Sequence, residues 1–390
     1  MTQDFRPLWC LDPSVAYLNH GSYGACPRAV LEQQRALQLE MEREPVDFLS
    51  RRLPERLQSA RAALAAFLGA DAADLVFVPN ATAGVNVVLR SLAFASGDEL
   101  LATTHTYAAC RKTLEHVALR SGARVVTAAL PFPVRDEEEL VAAVMACVSP
   151  RTRLALLDHV TSPTALILPI GRLVSELRSR GVETLIDGAH APGMVPLELS
   201  RLGAAYYTGN AHKWLCAPKG AAFLHVRRDR QSELHPTVIS HGYGAGFHAE
   251  FDWIGAFDPS AWLCIPAAID YLGSLLPGGW PELMASNHAL ASESRAHLCA
   301  ALDIEPPCPE PMIGSMASLI LPAAAGGAAA SRLEGEALAT WFRERGVETW
   351  VSRRPFNLLR VSAQLYNSIA QVRLLAELTL QALRAPSAAP

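Results

Sequence analysis

No C-x-x-C pair, no Cys/His spacing of the zinc type and no run of basic residues occurs anywhere in this 390-residue chain. The eight cysteines (Cys10, Cys26, Cys110, Cys147, Cys216, Cys264, Cys299 and Cys308) are scattered. They indicate neither a zinc site nor a disulfide framework, so we expect reduced, mostly buried thiols and no metal. With 34 Lys plus Arg against 38 Asp plus Glu, the net charge is −4. There is no stripe of cations that could neutralise successive phosphates, which argues against nucleic acid as a partner. Alanine-rich stretches are broken by Gly, Pro or charge before they reach spanning length, and MTQDFRPLW shows no basic segment followed by an apolar one. No membrane partner and a cytoplasmic location are expected. The G-x-G-x-x-G fingerprint and the Walker lysine are also missing, which argues against a nicotinamide dinucleotide or ATP.

Half of the residues are apolar, enough for a large core and too many for a disordered chain. From about residue 74 to 226, short β-branched or apolar runs alternate with amphipathic stretches, the pattern of βα units around a largely parallel sheet. Strands are expected at 75–78, 100–103, 124–128, 154–158, 184–186, 205–208 and 221–226, with crossover helices at 82–94, 108–120, 137–147 and 170–180. Residues 27–44 and 54–68 read as two further helices, the second stopping at Gly69. The expected division is an N-terminal segment, 1–45, contributing to the site and the small domain; a large domain, 46–276; and a smaller C-terminal α/β domain, 277–390, reading helix, strand, helix, strand, helix. Residues 240–261 are rich in Gly and aromatics without a period, which marks a functional loop. PAAAGGAAAS at 322–331 reads as a flexible surface loop, and the tail APSAAP is expected to fray.

Three stretches carry chemistry. TLIDGAH (184–190) runs an apolar strand into Asp187, at the sheet edge where open α/β folds bind ligands. TGNAHKWLCAP (208–218) sets Lys213 between His212 and Trp214, awkward for a solvated charge but suited to an amine that loses its proton and forms a Schiff base. PNATAGV (79–85) ends a strand and opens a helix whose first-turn N–H groups could hold a phosphate, although Thr82 could equally serve as a simple N-cap. A phosphate cradle, an acid for a pyridinium nitrogen and an amine for an aldehyde are the three grips that pyridoxal phosphate requires.

At this point the chain resembles the fold-type I pyridoxal-phosphate enzymes of the class V aminotransferase superfamily, and within it the isopenicillin N epimerase-like branch. The resemblance rests on LNHGSYG (18–24), NATAG (80–84), HVTSPTA (159–165), DGAH (187–190), HKW (212–214) and RVSAQLYN (360–367). It implies a large domain with a mostly parallel seven-stranded sheet, pyridoxal 5′-phosphate as cofactor, and a homodimer with residues 240–261 at the interface. It implies further that Lys213 carries the cofactor and Asp187 partners the ring nitrogen, with His190 and Ser162 near the ring hydroxyl. Tyr107 matches the aromatic that stacks on the ring; His105 competes for that role but reads better as a structural histidine. Ala81, Thr82, Asn210 and His212 would surround the phosphate. Arg360 matches the arginine for the substrate α-carboxylate, and Asn19, His20 and Tyr23 are placed with the substrate.

Two departures bear on the reaction. Related cysteine desulfurases carry a nucleophilic Cys shortly before the arginine, whereas residues 350–359, WVSRRPFNLL, contain none. The branch reads G-T-R-D in the loop lent to the neighbouring phosphate, and this chain reads Gly255-Ala256-Phe257-Asp258, without the hydroxyl and the guanidinium. The expected activity is a change at Cα of an amino acid, a small-molecule substrate. Epimerisation comes first. A Cβ–S lyase on a cysteine conjugate or sulfoxide, of the hercynylcysteine sulfoxide kind, is the alternative, followed by transamination. A homologue without catalysis is disfavoured by the presence of Lys213, Asp187 and Arg360 together. Tyr107, His20 and Tyr23 are the candidates for any second acid, and spacing does not choose among them.

Overall fold

Seven strands form where apolar runs meet turn residues: β1 (Leu75–Val78), β2 (Glu99–Thr103), β3 (Arg124–Ala128), β4 (Thr152–Asp158), β5 (Glu183–Asp187), β6 (Tyr206–Asn210) and β7 (Ala222–Val226). In this computed structural model, which describes residues 4–322, 333–353 and 356–384, they make one sheet in the order β1-β7-β6-β5-β4-β2-β3. Only β7 runs antiparallel, to both of its neighbours; the remaining pairs are parallel. Successive residues of a strand point to opposite faces. Accordingly Leu100, Leu154, Leu156 and Leu185 join one apolar cluster, and Leu101, Ala155, Leu157 and Ile186 the other. A sheet buried on both faces reads as continuous hydrophobic runs, which is why the strands were recognisable without alternation.

Helices cover both faces. α1 (Arg28–Arg43) and α2 (Leu53–Leu68) precede the sheet, and α3 (Ala81–Ser91), α4 (Ala108–Ser121), α5 (Glu137–Met145) and α6 (Ile170–Ser179) are its crossovers. α2 stops at Gly69, whose φ of +59° a Cβ would resist. α3 ends three residues short of expectation, at Ser91, and the chain turns extended at Leu92. Residues 240–261 are not wholly irregular: they contain two short helices, Phe247–Asp252 and Ser260–Leu263, and a buried Glu250 accepts the Gly244 N–H and meets His235.

The C-terminal part begins with α7 (Gly279–Leu302), which starts inside LPGGWP, with Pro281 in its first turn, where the missing N–H costs nothing. β8 (Met316–Ile320), β9 (Trp350–Ser352) and β10 (Leu358–Ser362) form an antiparallel sheet in the order β9-β10-β8, flanked by α8 (Glu336–Arg343) and α9 (Ile369–Arg384). β9 is an addition to the expected elements; at three residues it is too short for period-two patterning. The N-terminal segment pairs Ala16–Tyr17 with Val347–Glu348 and so ties the start of the chain to this part. The loop expected at 322–331 falls, after Pro322, outside the described residues, as does the tail from 385 onward.

Candidate active site

Because β1, β2, β4, β5 and β6 run the same way, Val78, Thr103, Asp158, Asp187 and Asn210 all finish at one edge of the sheet. A cavity of about 500 Å³ opens there. Of the residues expected from the sequence, Ala81, Thr82, Asn210 and His212 line one part of it, and Asp187, His190, Lys213 and Ser162 another. Tyr107 and Tyr23 complete its wall.

The phosphate end is built from helix-terminus chemistry. Asn80, not Thr82, caps α3: its Oδ1 accepts the Ala83 N–H at 2.8 Å. Asn210, from the end of β6, accepts the Ala81 N–H at 2.8 Å and ties the helix start to the sheet. Thr82 is left between the two, at the positive end of the helix dipole and facing the cavity. Gly84 allows this approach, since a Cβ there would sit 2.2 Å from Thr208 Oγ1. His212 donates from Nδ1 to the Ala221 carbonyl, and burial pushes its pKa down to about 4.

At the opposite end, Asp187 accepts from the Ala189 N–H at 3.0 Å and from the Cys110 thiol at 3.2 Å. Burial raises its pKa, against the lowering influence of those two donors and of Lys213. Lys213 Nζ lies 3.0 Å from His190 Nε2. Burial, and then the charge of Arg360, pull the lysine down to about 7, so that a large share of the amine is neutral near pH 7. His190 is held well below its usual pKa by burial and by Lys213, and its Nδ1 is buried with no protein partner. Tyr107 stands at the N-cap of α4, its hydroxyl pushed up by burial.

Arg360 lies behind this cavity, 1% exposed. Nη1 donates to the Ser162 carbonyl at 2.6 Å and to its hydroxyl at 3.3 Å; Nη2 reaches Asn19 Oδ1 and Ser22 Oγ at 3.3 and 3.2 Å; the guanidinium sits 4.8 Å from the Trp350 ring centre. Nε has no partner, and among the described residues no carboxylate pairs with this cation. Burial lowers its pKa to about 10, so it remains charged at neutral pH. Asn19, which accepts from Arg360, in turn donates from Nδ2 to Glu348 at 2.9 Å.

Besides Arg360, two expected residues do not line the cavity. His20 is fully buried and does not face the cavity: Nε2 donates to the Lys213 carbonyl at 3.0 Å, and Nδ1 accepts from the Tyr366 hydroxyl at 2.7 Å. Asn19 likewise does not line the cavity; it holds Arg360. The short helix His20–Tyr23 is followed by Gly24, which packs so closely on the lysine segment that a Cβ would lie 2.1 Å from the His212 carbonyl. His105 bonds Thr164 through Nδ1 and packs edge-on against Phe132, outside the cavity. The sequence reading passed over Ser22, Asp158 and Cys110. Asp158 had a signal, a strand-ending acid one strand away from Asp187; Cys110 had none.

The donors fit a phosphorylated pyridine aldehyde. A helix start lies at one end, a carboxylate lacking any cationic ion-pair partner at the other, and a depressed-pKa amine and an unpartnered imidazole nitrogen lie between.

Residues 18–252 match the Aminotransferase class-V family. The chain is 36% identical to the isopenicillin N epimerase of Streptomyces clavuligerus, over 96% of each chain, and 38% identical to that of Amycolatopsis lactamdurans, over 94% of this chain and 95% of that one. It is also 36% identical to the putative L-cysteine desulfhydrase 1 of Oryza sativa subsp. japonica, over 81% of this chain and 69% of that one. The fold matches that of the cystine C–S lyase C-DES in complex with its reaction product cysteine persulfide, with a TM-score of 0.80 at 21% identity, over 96% and 99% of the two chains.

Proposed function

The chain belongs to the class-V aminotransferase family, and from that premise we propose that this enzyme, with pyridoxal 5′-phosphate as its cofactor, epimerises an amino acid at Cα. Bound in the cavity, the cofactor supplies an aldehyde that couples to amines and a ring that draws electrons from Cα. Asp187 would hold the ring N–H, and Thr82, Asn210 and His212 would surround the phosphate. Arg360, which has no carboxylate partner among the described residues, would receive the α-carboxylate in exchange for its contacts to Ser22 and Ser162, two residues of the cavity lining. Lys213, about half neutral at pH 7, takes the Cα proton as general base. His190 keeps the amine pointed into the cavity.

The observation that carries the epimerase reading is strand order. Asp187 ends the central strand β5; Lys213 follows β6 on one side, and Tyr107 follows β2 on the other. A cofactor whose ring nitrogen met Asp187 would lie between Lys213, after β6, and Tyr107, after β2. Tyr107, its pKa raised by burial, keeps its proton at neutral pH and is the acid that can return one to the opposite face.

A second reading, a Cβ–S lyase, is supported by the desulfhydrase relatives and needs only Lys213 and some donor for the departing sulfur. The hercynylcysteine sulfoxide lyase of Schizosaccharomyces pombe is a more distant relative, at 24% identity over 62% of each chain. The two readings separate when an amino acid and its cysteine conjugate are offered in deuterium oxide. Epimerisation gives optical inversion with deuterium at Cα and no pyruvate; pyruvate without inversion replaces that reading with the lyase.

A further inference from the structure

Asp187 has a neighbour that none of the roles above uses. Asp158 ends β4 and stands in register with Asp187 on the adjacent parallel strand. Both acids are buried, at 2% and 3% exposure, and both line the cavity. Their surroundings differ. Both oxygens of Asp187 accept protein donors, whereas Asp158 accepts the Tyr107 N–H on Oδ1 at 3.2 Å and leaves Oδ2 buried with no partner. Two carboxylates this close in a low-dielectric floor cannot both ionise cheaply, and the better-solvated one keeps the charge.

We propose that Asp158 is a neutral-acid partner of Asp187: it retains its proton so that Asp187 alone carries the negative charge under the cofactor ring, and it fixes the turn that presents Tyr107. The inference rests on the reading of Asp187 as the ring-nitrogen partner. The groups facing Asp158 are consistent with it. Asp187 from β5 repels a second charge, Thr106 and the Tyr107 amide come from the turn after β2, Cys110 comes from α4, and the lysine after β6 is closer in influence to Asp187. Burial and Asp187, in that order, raise the Asp158 pKa well above the ordinary carboxylate value. The free Oδ2 then bears an O–H donor on the cavity floor, and Oδ1 remains the acceptor that holds the Tyr107 turn. Asp158 is thus a positioning residue. Asparagine reproduces both features, an acceptor oxygen and a neutral donor of the same size.

The test uses the holoenzyme at pH 7 and reads infrared spectra and cofactor affinity. The parent spectrum minus that of Asp158→Asn is expected to contain the carbonyl band of a protonated carboxyl group, shifting in deuterium oxide. Asp158→Asn should loosen the cofactor by no more than about threefold, while Asp187→Asn, which removes the charge under the ring, loosens it by roughly a hundredfold. Absence of the protonated band, or equal loosening by the two variants through Asp158, overturns the inference. If Asp187→Asn leaves affinity and the visible spectrum unchanged, it is the assignment of Asp187 that fails. Should Asp158→Asn not fold, a titration of the carboxyl bands in aspartate-labelled parent enzyme decides: a protonated aspartate persisting through pH 7 supports the proposal, and its absence refutes it.

Discussion

The floor of the cavity and the corner around Arg360 are assembled in opposite ways. On the floor, each functional group arrives at the end of its own strand: Asp187 from β5, Lys213 three residues past β6, Tyr107 four residues past β2. The sheet does the positioning, so local sequence is enough to put each group at the correct edge. The Arg360 corner gathers Asn19 and Ser22 from the N-terminal segment, Ser162 from the loop after β4, Trp350 from β9, and Arg360 itself from β10. The arginine there has no carboxylate partner among the described residues, and that belongs to the tertiary structure alone. Motif chemistry and assembled chemistry should therefore fail differently when disturbed.

The largest effect is expected on the floor. Lys213→Ala removes both the covalent anchor and the base, so borohydride should no longer fix the cofactor to the chain and turnover should fall by about three orders of magnitude or more. Fold and net burial change little, so the melting temperature of the apoprotein is the control. In the assembled corner, Arg360→Ala should raise KM for the amino acid by about two orders of magnitude, because two charge-assisted contacts are lost. Cofactor affinity should stay within a few-fold, since the residues placed at the phosphate and at the ring nitrogen, Thr82, Asn210, His212 and Asp187, are left in place. Arg360→Lys should restore only part of the loss, lacking the planar fork. A large drop in cofactor affinity with Arg360→Ala would mean that the two regions are one unit.

A smaller, graded effect links them. The Lys213 amine sits below its ordinary pKa, at about 7, so its neutral form is lost as pH falls through 7 and is complete well above it. Covalent capture of the cofactor by apoprotein should accordingly slow about tenfold per pH unit below 7 and level off above. Arg360 is the second cause of that depression, after burial. In Arg360→Ala the midpoint should move upward, toward the ordinary lysine value. A stopped-flow pH profile of both proteins measures the coupling, and coincident midpoints would leave burial as the sole cause.

The same contrast explains how far the sequence could be read. The strands of the large sheet were visible because they are buried on both faces, and Asp187 and Lys213 were visible because DGAH and HKW are contiguous. Within LNHGSYG, identity was legible but orientation was not. At about 100° per residue Ser22 points roughly opposite to His20, so His20 faces Tyr366 and the Lys213 carbonyl while Ser22 faces the cavity. Asp158 escaped notice because the recognised motif, HVTSPTA, begins one residue after it. β9 escaped because Trp350–Ser352 is shorter than any pattern that could reveal it, and so did the ring it lays on Arg360.

The smallest effect is expected at the helix start, where two asparagines hold the N–H groups of Ala81 and Ala83. Asn80 is exposed and caps its own helix; Asn210 is buried and reaches across from β6. Asn80→Ala gives up a local cap that water can partly replace, a cost of about 1 kcal/mol, and Asn80→Ser should recover most of it. Asn210→Ala strands the Ala81 N–H in the interior and should cost about 2 kcal/mol. Cofactor changes the comparison, because a phosphate seated at this turn offers its own oxygens to the first-turn donors. Urea midpoints measured with and without cofactor should then show the Asn210→Ala penalty shrinking in the holoenzyme, while the Asn80→Ala penalty, paid at the solvent side, stays nearly constant. Equal penalties in both forms would put the phosphate somewhere other than the start of α3.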